Sequence, residues 1–89
     1  MTDITTIAVL GAGTMGLGIA HVSAVAGYET RLFDTSAQQL QKAQSTIHRN
    51  LAKGVELGKL EAGAADSAKG LLSTATDLAA AATGAGLVI

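Results

Sequence analysis

The sequence predicts an α/β fold built on a doubly wound parallel sheet, here partial and of about four strands. β-Branched and apolar runs alternate with segments in which apolar residues recur every three or four positions. The order read along the chain is β-α-β-α-(α)-β-α-β. Strands that alternate with helices pair in parallel, with right-handed crossovers and helices on both faces. A glycine-rich stretch, VLGAGTMGLGIAH at 9–21, stands where the first strand gives way to the first helix.

Taken in order, residues 4–10 (ITTIAVL) end in a continuous apolar run, the mark of a strand buried on both faces. Residues 14–26 are apolar and small in helical register. Met15, Ile19, Val22 and Ala26 lie along one face, and Gly27 supplies the stop. A second strand follows at 28–34 (YETRLFD). Ser36 then caps a helix while Gln39, three residues on, reaches back to it in a capping box. Behind it Leu40, Ala43, Ile47, Leu51 and Val55 form one buried stripe, and Gly54 and Gly58 weaken the helix end. A short helix over 60–69 and a short strand over 71–76 come next. Asp77 caps the alanine-rich segment 78–82, and Gly84 and Gly86 lead into a last strand at 87–89. The expected strand order across the sheet is 3-2-1-4.

With 89 residues, a formal charge of −1 and 48% hydrophobic residues, the chain is one small domain or part of a larger one. The absence of cysteine excludes disulfides and thiolate metal sites. Scattered Lys and Arg offer no footprint for nucleic acid. No apolar run approaches the ~20 residues that span a bilayer. The first strand begins too early to leave room for a leader peptide. A soluble, cytoplasmic chain is expected, with neither nucleic acid nor membrane as partner. One Phe, one Tyr and no Trp make a light core, and the chain ends in GLVI with no polar tail. It reads as a chain cut within a sheet, because an unpaired terminal strand exposes its hydrogen-bonding edge.

Gly11, Gly13 and Gly16 fit G-x-G-x-x-G between strand and helix. Gly11 permits the tight turn, Gly13 lets a pyrophosphate come against the backbone, and Gly16 allows close helix packing. Gly18 and Ala20 continue the small surface. The helix start aims free N–H groups and the positive dipole end at the phosphates. Asp34 ends the second strand eighteen residues after Gly16, where a carboxylate accepts hydrogen bonds from the adenosine ribose. The plainer alternatives are a strand-to-helix turn without a ligand and a stabilising charge at the start of the next helix. Together the pattern points to dinucleotide binding. His21 and His48 have no partners at metal-ligand spacing, and no Ser or Thr is paired with a base. His21 reads as a packing or partly exposed residue and His48 as part of a solvated face. Neither a metal site nor a catalytic constellation is expected within these residues.

The string IAVLGAGTMGLGIAHVSAVAGYETRLFD resembles the start of the 3-hydroxyacyl-CoA dehydrogenase family, particularly its bacterial 3-hydroxybutyryl-CoA members. The similarity continues through IHRNLAKGVELGKL and TDLAAAATGAGLVI, so it covers essentially the whole chain. The resemblance implies NAD-dependent interconversion of a 3-hydroxyacyl-CoA and its 3-ketoacyl-CoA. It implies a Rossmann-type N-terminal domain over 1–89, cut at the fourth strand, and a helical C-terminal domain that makes most of a homodimer contact. The family's catalytic His–Glu pair, with an assisting Ser and Asn, would lie beyond Ile89. Carried over onto this chain, the cofactor residues are Gly11, Ala12, Gly13, Thr14, Met15, Gly16 and Asp34. In the family, basic residues on the second helix and its tail contact CoA. Lys53 sits at one such position, Lys59 is nearby, and the alternative for both is solvated helix-end charge. Leu57 departs from a second such position, and Gly86 stands where the family usually has an acid. Two other readings share the glycine turn. A 3-hydroxyisobutyrate or 6-phosphogluconate type of dehydrogenase lacks the long second helix with its GKL. A non-catalytic nucleotide-sensing module fits the short length but not the detailed match over 9–59.

Overall fold

The computed structural model describes residues 5–89. Four parallel strands and four helices follow in the order β1 (Thr6–Leu10), α1 (Thr14–Val25), β2 (Glu29–Phe33), α2 (Ala37–Glu56), α3 (Ala62–Leu71), β3 (Leu72–Ala75), α4 (Leu78–Ala82) and β4 (Leu87–Val88), with two helices between β2 and β3. The sheet order is β3-β2-β1-β4, with every neighbouring pair parallel. This is the order and direction expected from the sequence. Of the strand predicted over 4–10, Ile4 lies outside the described residues.

Register assigns each face of the sheet. Ile7 pairs with Thr30 and Leu87, and Thr30 with Leu72, so these residues share one face. There Ile7, Val9, Leu32 and Leu72 pack with buried residues of α1, α2 and α3 in one core. α2 contributes Leu40, Ala43, Ile47 and Leu51, the stripe its periodicity predicts. Burying each of its Leu and Ile side chains stabilises the fold by roughly 1.5–3 kcal/mol. Thr30 is fully buried in that core, and its hydroxyl is satisfied by donating to the Tyr28 carbonyl at 3.0 Å. On the opposite face Ala8 pairs with Arg31 and Val88, and the small helix α4 packs against the sheet with Ala81 buried. Arg31 donates from Nη1 to the carbonyls of Ala81 (3.4 Å) and Thr83, and Nη2 lies 3.6 Å from Glu29 Oε1. One guanidinium thus satisfies the carbonyl end of α4 and ties it to β2.

The sheet-facing side of α1 differs from the sequence expectation. Ala20, Ser23 and Ala24 are buried, whereas Met15 is 80% and Val22 66% exposed and Ala26 is exposed. α1 is apolar nearly all round, so periodicity alone does not choose a face. Close approach to the sheet does, and it admits the stripe of smallest side chains, Gly16, Ala20, Ser23 and Ala24. Gly18 does not belong to it: the residue is exposed, with open space around the Cβ position.

Candidate functional site

The turn after β1 lies at the carboxyl edge of the sheet, at the point where the strand order passes to β2 and β3 on one side of β1 and to β4 on the other. That crevice is where open parallel α/β sheets bind ligands. Gly11 has φ of +102°, a conformation that disfavours any side chain, and its N–H donates to the Phe33 carbonyl at 2.7 Å. The turn is therefore hydrogen-bonded to the end of β2. At Gly16 a Cβ would fall 1.7 Å from the Gly11 carbonyl oxygen, so the helix start and the turn touch backbone to backbone. The close approach predicted for Gly16 is first to the turn itself, and then to Val9 of the sheet at 3.6 Å.

Gly13 is different. It is exposed, has φ of −71° and would meet nothing within 4 Å of an added Cβ. Neither backbone conformation nor packing demands glycine there. A cradle open to solvent, at the N-cap of a twelve-residue helix without a side-chain cap, fits a bulky anion pressed against the backbone. Thr14 and Met15 in the first turn are exposed beside it.

Asp34 follows the last residue of β2, level with the turn. Its Oδ2 accepts from Ala12 N at 3.0 Å and Oδ1 from Ser36 N at 2.9 Å. The Ala12 N–H and then that of Ser36 hold the carboxyl below the ordinary aspartate range, against a smaller desolvation effect that raises it, and the Thr35 N–H adds least. The residue is half-buried and ionised at neutral pH, with lone pairs left to accept from a ligand. Ser36 caps α2 as expected, Oγ accepting from Gln39 N at 3.2 Å. The reciprocal half of the capping box is not formed. Asp34 takes the Ser36 N–H, and the Gln39 side chain donates instead to the Ala12 carbonyl at 3.3 Å.

Between α1 and α2 lies a cavity of about 250 Å3, with Gly13, Thr14 and Leu17 on one wall and Gln39, Lys42 and Thr46 on the other. The sequence marks Gln39 as a capping residue and gives Lys42 no part in the site, although their spacing puts both on one face of α2 with Thr46. Lys53 is exposed in the last turn of α2, roughly 20 Å along the helix from Gln39, and Lys59 is exposed in the following loop. Neither is brought to the glycine turn. His48 is half-buried with an enclosed, unpartnered Nε2, a correction to the solvated position expected. α2 is flanked by α1 and α3 as well as the sheet, so its covered face is wider than one stripe. His21 Nδ1 is likewise enclosed without a partner. Among the described residues no cluster of His, Asp or Glu could hold a metal, and no helix is long and apolar enough to cross a membrane.

Residues 6–89 match the protein family described as 3-hydroxyacyl-CoA dehydrogenase, NAD binding domain. The chain belongs to this family. The 3-hydroxyadipyl-CoA dehydrogenase of Escherichia coli (strain K12) is 43% identical over 89 residues, which is all of this chain and 18% of that protein. The 3-hydroxybutyryl-CoA dehydrogenase of Mycobacterium tuberculosis (strain H37Rv) is 40% identical over 79 residues, 88% of this chain and 28% of that protein. The crystal structure of 3-hydroxybutyryl-CoA dehydrogenase from E. coli K12 superposes with a TM-score of 0.92 at 41% identity, over 98% of this chain and 18% of that one. That of M. tuberculosis FadB2 gives 0.91 at 37%, over 98% and 30%. The chain thus spans less than a third of these relatives. For the dinucleotide that the family's description names, the chain offers residues that fit. They are an open backbone cradle at Gly13, an uncapped helix N-terminus, and an ionised carboxylate at the end of β2.

Proposed function

We propose that this chain is the N-terminal cofactor-binding part of a longer NAD-dependent 3-hydroxyacyl-CoA dehydrogenase. In it the turn Gly11, Ala12, Gly13, Thr14, Met15 and Gly16, with Asp34, holds NAD. The observation that carries the reading is the contrast within the turn. Gly11 and Gly16 are required by backbone geometry, whereas Gly13 is required by nothing in the protein. A glycine with open space over a helix N-terminus is accounted for by a ligand that needs that space. The backbone N–H groups of the turn and of the first turn of α1 bind and orient the diphosphate. Asp34 accepts from the ribose hydroxyls, which fixes the adenosine end. When bound, NAD supplies the acceptor for hydride from C3 of a 3-hydroxyacyl-CoA.

The group that takes the hydroxyl proton lies beyond Ile89 on this reading. In support, neither His21 nor His48 has a carboxylate partner among the described residues. Lys53 and Lys59, at the far end of α2, are proposed to meet the CoA phosphates. The names of the relatives support an acyl-CoA substrate. Homodimerisation through a following helical domain and a cytoplasmic location complete the reading.

The test is titration of the complete protein with NADH, followed by nicotinamide fluorescence, for the wild type and Gly13→Val. Binding by the wild type and its loss in a folded Gly13→Val variant are expected. Equal affinity in the two would show that nothing passes over Gly13.

A further inference from the structure

Gln39 is freed from the capping box, and its side chain closes a ring. Gln39 Nε2 donates to the Ala12 carbonyl, Ala12 N to Asp34 Oδ2, Ser36 N to Asp34 Oδ1, and Gln39 N to Ser36 Oγ, at 3.3, 3.0, 2.9 and 3.2 Å. The ring links the end of β2, the first turn of α2 and the glycine turn. Ala12 is buried within it, held at its N–H by β2's end and at its carbonyl by α2.

The Ala12 carbonyl and the Gly13 N–H belong to one peptide plane, and in a trans peptide they point in opposite directions. A donor that draws the carbonyl toward α2 therefore aims the Gly13 N–H away from α2. Among the described residues no acceptor takes that N–H. If the peptide turned over, it would present an oxygen to an anion instead of a donor. Resting on the reading that this turn holds NAD, we propose that Gln39 is a positioning residue of the cofactor site. By holding the Ala12 carbonyl it keeps the Gly13 N–H facing the diphosphate. Gln39 touches no cofactor and acts through the backbone.

Gln39→Glu separates this role from mere support of α2. The two side chains have nearly the same size, but a carboxylate cannot donate, while a protonated carboxyl can. NADH dissociation constants are measured on the complete protein between pH 5 and 8 for the wild type, Gln39→Glu and Gln39→Met. A neutral hydrogen bond predicts roughly threefold to tenfold weaker binding in Gln39→Met at every pH. Gln39→Glu should bind at least as weakly at pH 8 and regain affinity relative to the wild type as pH falls toward the ordinary Glu range near ~4.3. KM for NAD should rise in both variants with kcat nearly unchanged, since a residue that only orients the cradle acts on ground and transition states alike. Wild-type affinity in Gln39→Met overturns the proposal, even if the Glu variant fails to fold. So does a Glu variant that tracks Gln39→Met with no recovery at low pH. Failure of the wild type itself to bind NADH would instead overturn the reading of the turn as a cofactor site.

Discussion

Gly13 and Gly16 stand three residues apart and answer to different constraints, which mutation can separate. A Cβ at residue 16 would sit 1.7 Å from the Gly11 carbonyl oxygen, an overlap of backbone with side chain that no rotamer relieves. Gly16→Ala should destabilise the fold by roughly 1–3 kcal/mol or more, the usual cost of overpacking. Gly13→Val meets only solvent in the free protein, so its melting temperature should stay within a few degrees of the wild type while NADH binding is lost. Thermal melts of the two complete variants, with and without NADH, check both statements; a larger fall in stability for Gly13→Val than for Gly16→Ala would reverse the assignment. Asp34 carries a second prediction. Its carboxylate accepts N–H groups from Ala12 and Ser36, so it is ionised through the neutral range, and on the proposed reading it would repel the 2′-phosphate of NADP. Arg31 is held by the Ala81 and Thr83 carbonyls on the opposite face of the sheet and cannot receive that phosphate. The kcat/KM preference for NAD should be about tenfold or more in the complete enzyme, and Asp34→Ser should shrink it. Because the folded pKa is lowered, the stability Asp34 lends is present above the ordinary value near ~3.9 and is lost as pH falls through the lower, folded value. Asp34→Asn should therefore remove the part of acid unfolding that begins below about pH 4. An unchanged acid limb would detach Asp34 from the turn.

α2 does two jobs at its two ends. Its first turn closes the ring on Ala12, and its last turn presents Lys53 to solvent. In the complete enzyme Lys53→Ala should raise KM for the CoA substrate severalfold and leave KM for NAD and kcat nearly unchanged. A surface cation near phosphates adds binding shared by ground and transition states. The effect should fade as salt rises, and equal KM values at low salt would return Lys53 to plain helix-end charge. α2 was also the most legible element, since Leu40, Ala43, Ile47 and Leu51 stand apart from polar neighbours and fix its buried side. α1 was legible as a helix but not in orientation. With Met15, Ile19 and Val22 on one side and Ala20 and Ala24 on another, hydrophobicity does not discriminate, and closeness of approach to Gly11 decides. The turn itself was readable because glycine spacing and the acid at Asp34 are local signals. The Gln39 contact was not. Local pattern offers Gln39 a capping partner three residues away, whereas the partner it finds comes from a turn twenty-seven residues earlier, placed there only by the parallel pairing of β1 and β2.

At the scale of the whole molecule, apolar surface is left at the β4 edge of the sheet and along α1. Leu87 pairs with Ile7 and so faces the side that carries α1. Val88 and Ile89 are exposed as well, and β4 ends the sheet order. On α1, Met15, Ile19 and Val22 line an open apolar groove of about 490 Å3 beside Gly18 and Ser23. The groove and the β4 edge are each exposed apolar surface of the kind that marks an interaction site or an aggregation liability. On the proposed reading, the rest of the enzyme covers it and also supplies the proton acceptor. Two consequences can be measured on the 89 residues expressed alone. The chain should self-associate with rising concentration, read by light scattering, because edge pairing and groove burial are both open to a second copy. It should also form no NADH from NAD and a 3-hydroxyacyl-CoA. The described residues contain no His paired with a carboxylate to take the hydroxyl proton, and general-base help of that kind typically contributes ~100- to 10,000-fold. Steady NADH production by the purified chain would move the catalytic group inside these residues. A monomer at every concentration would mean that the exposed strand and groove need no cover.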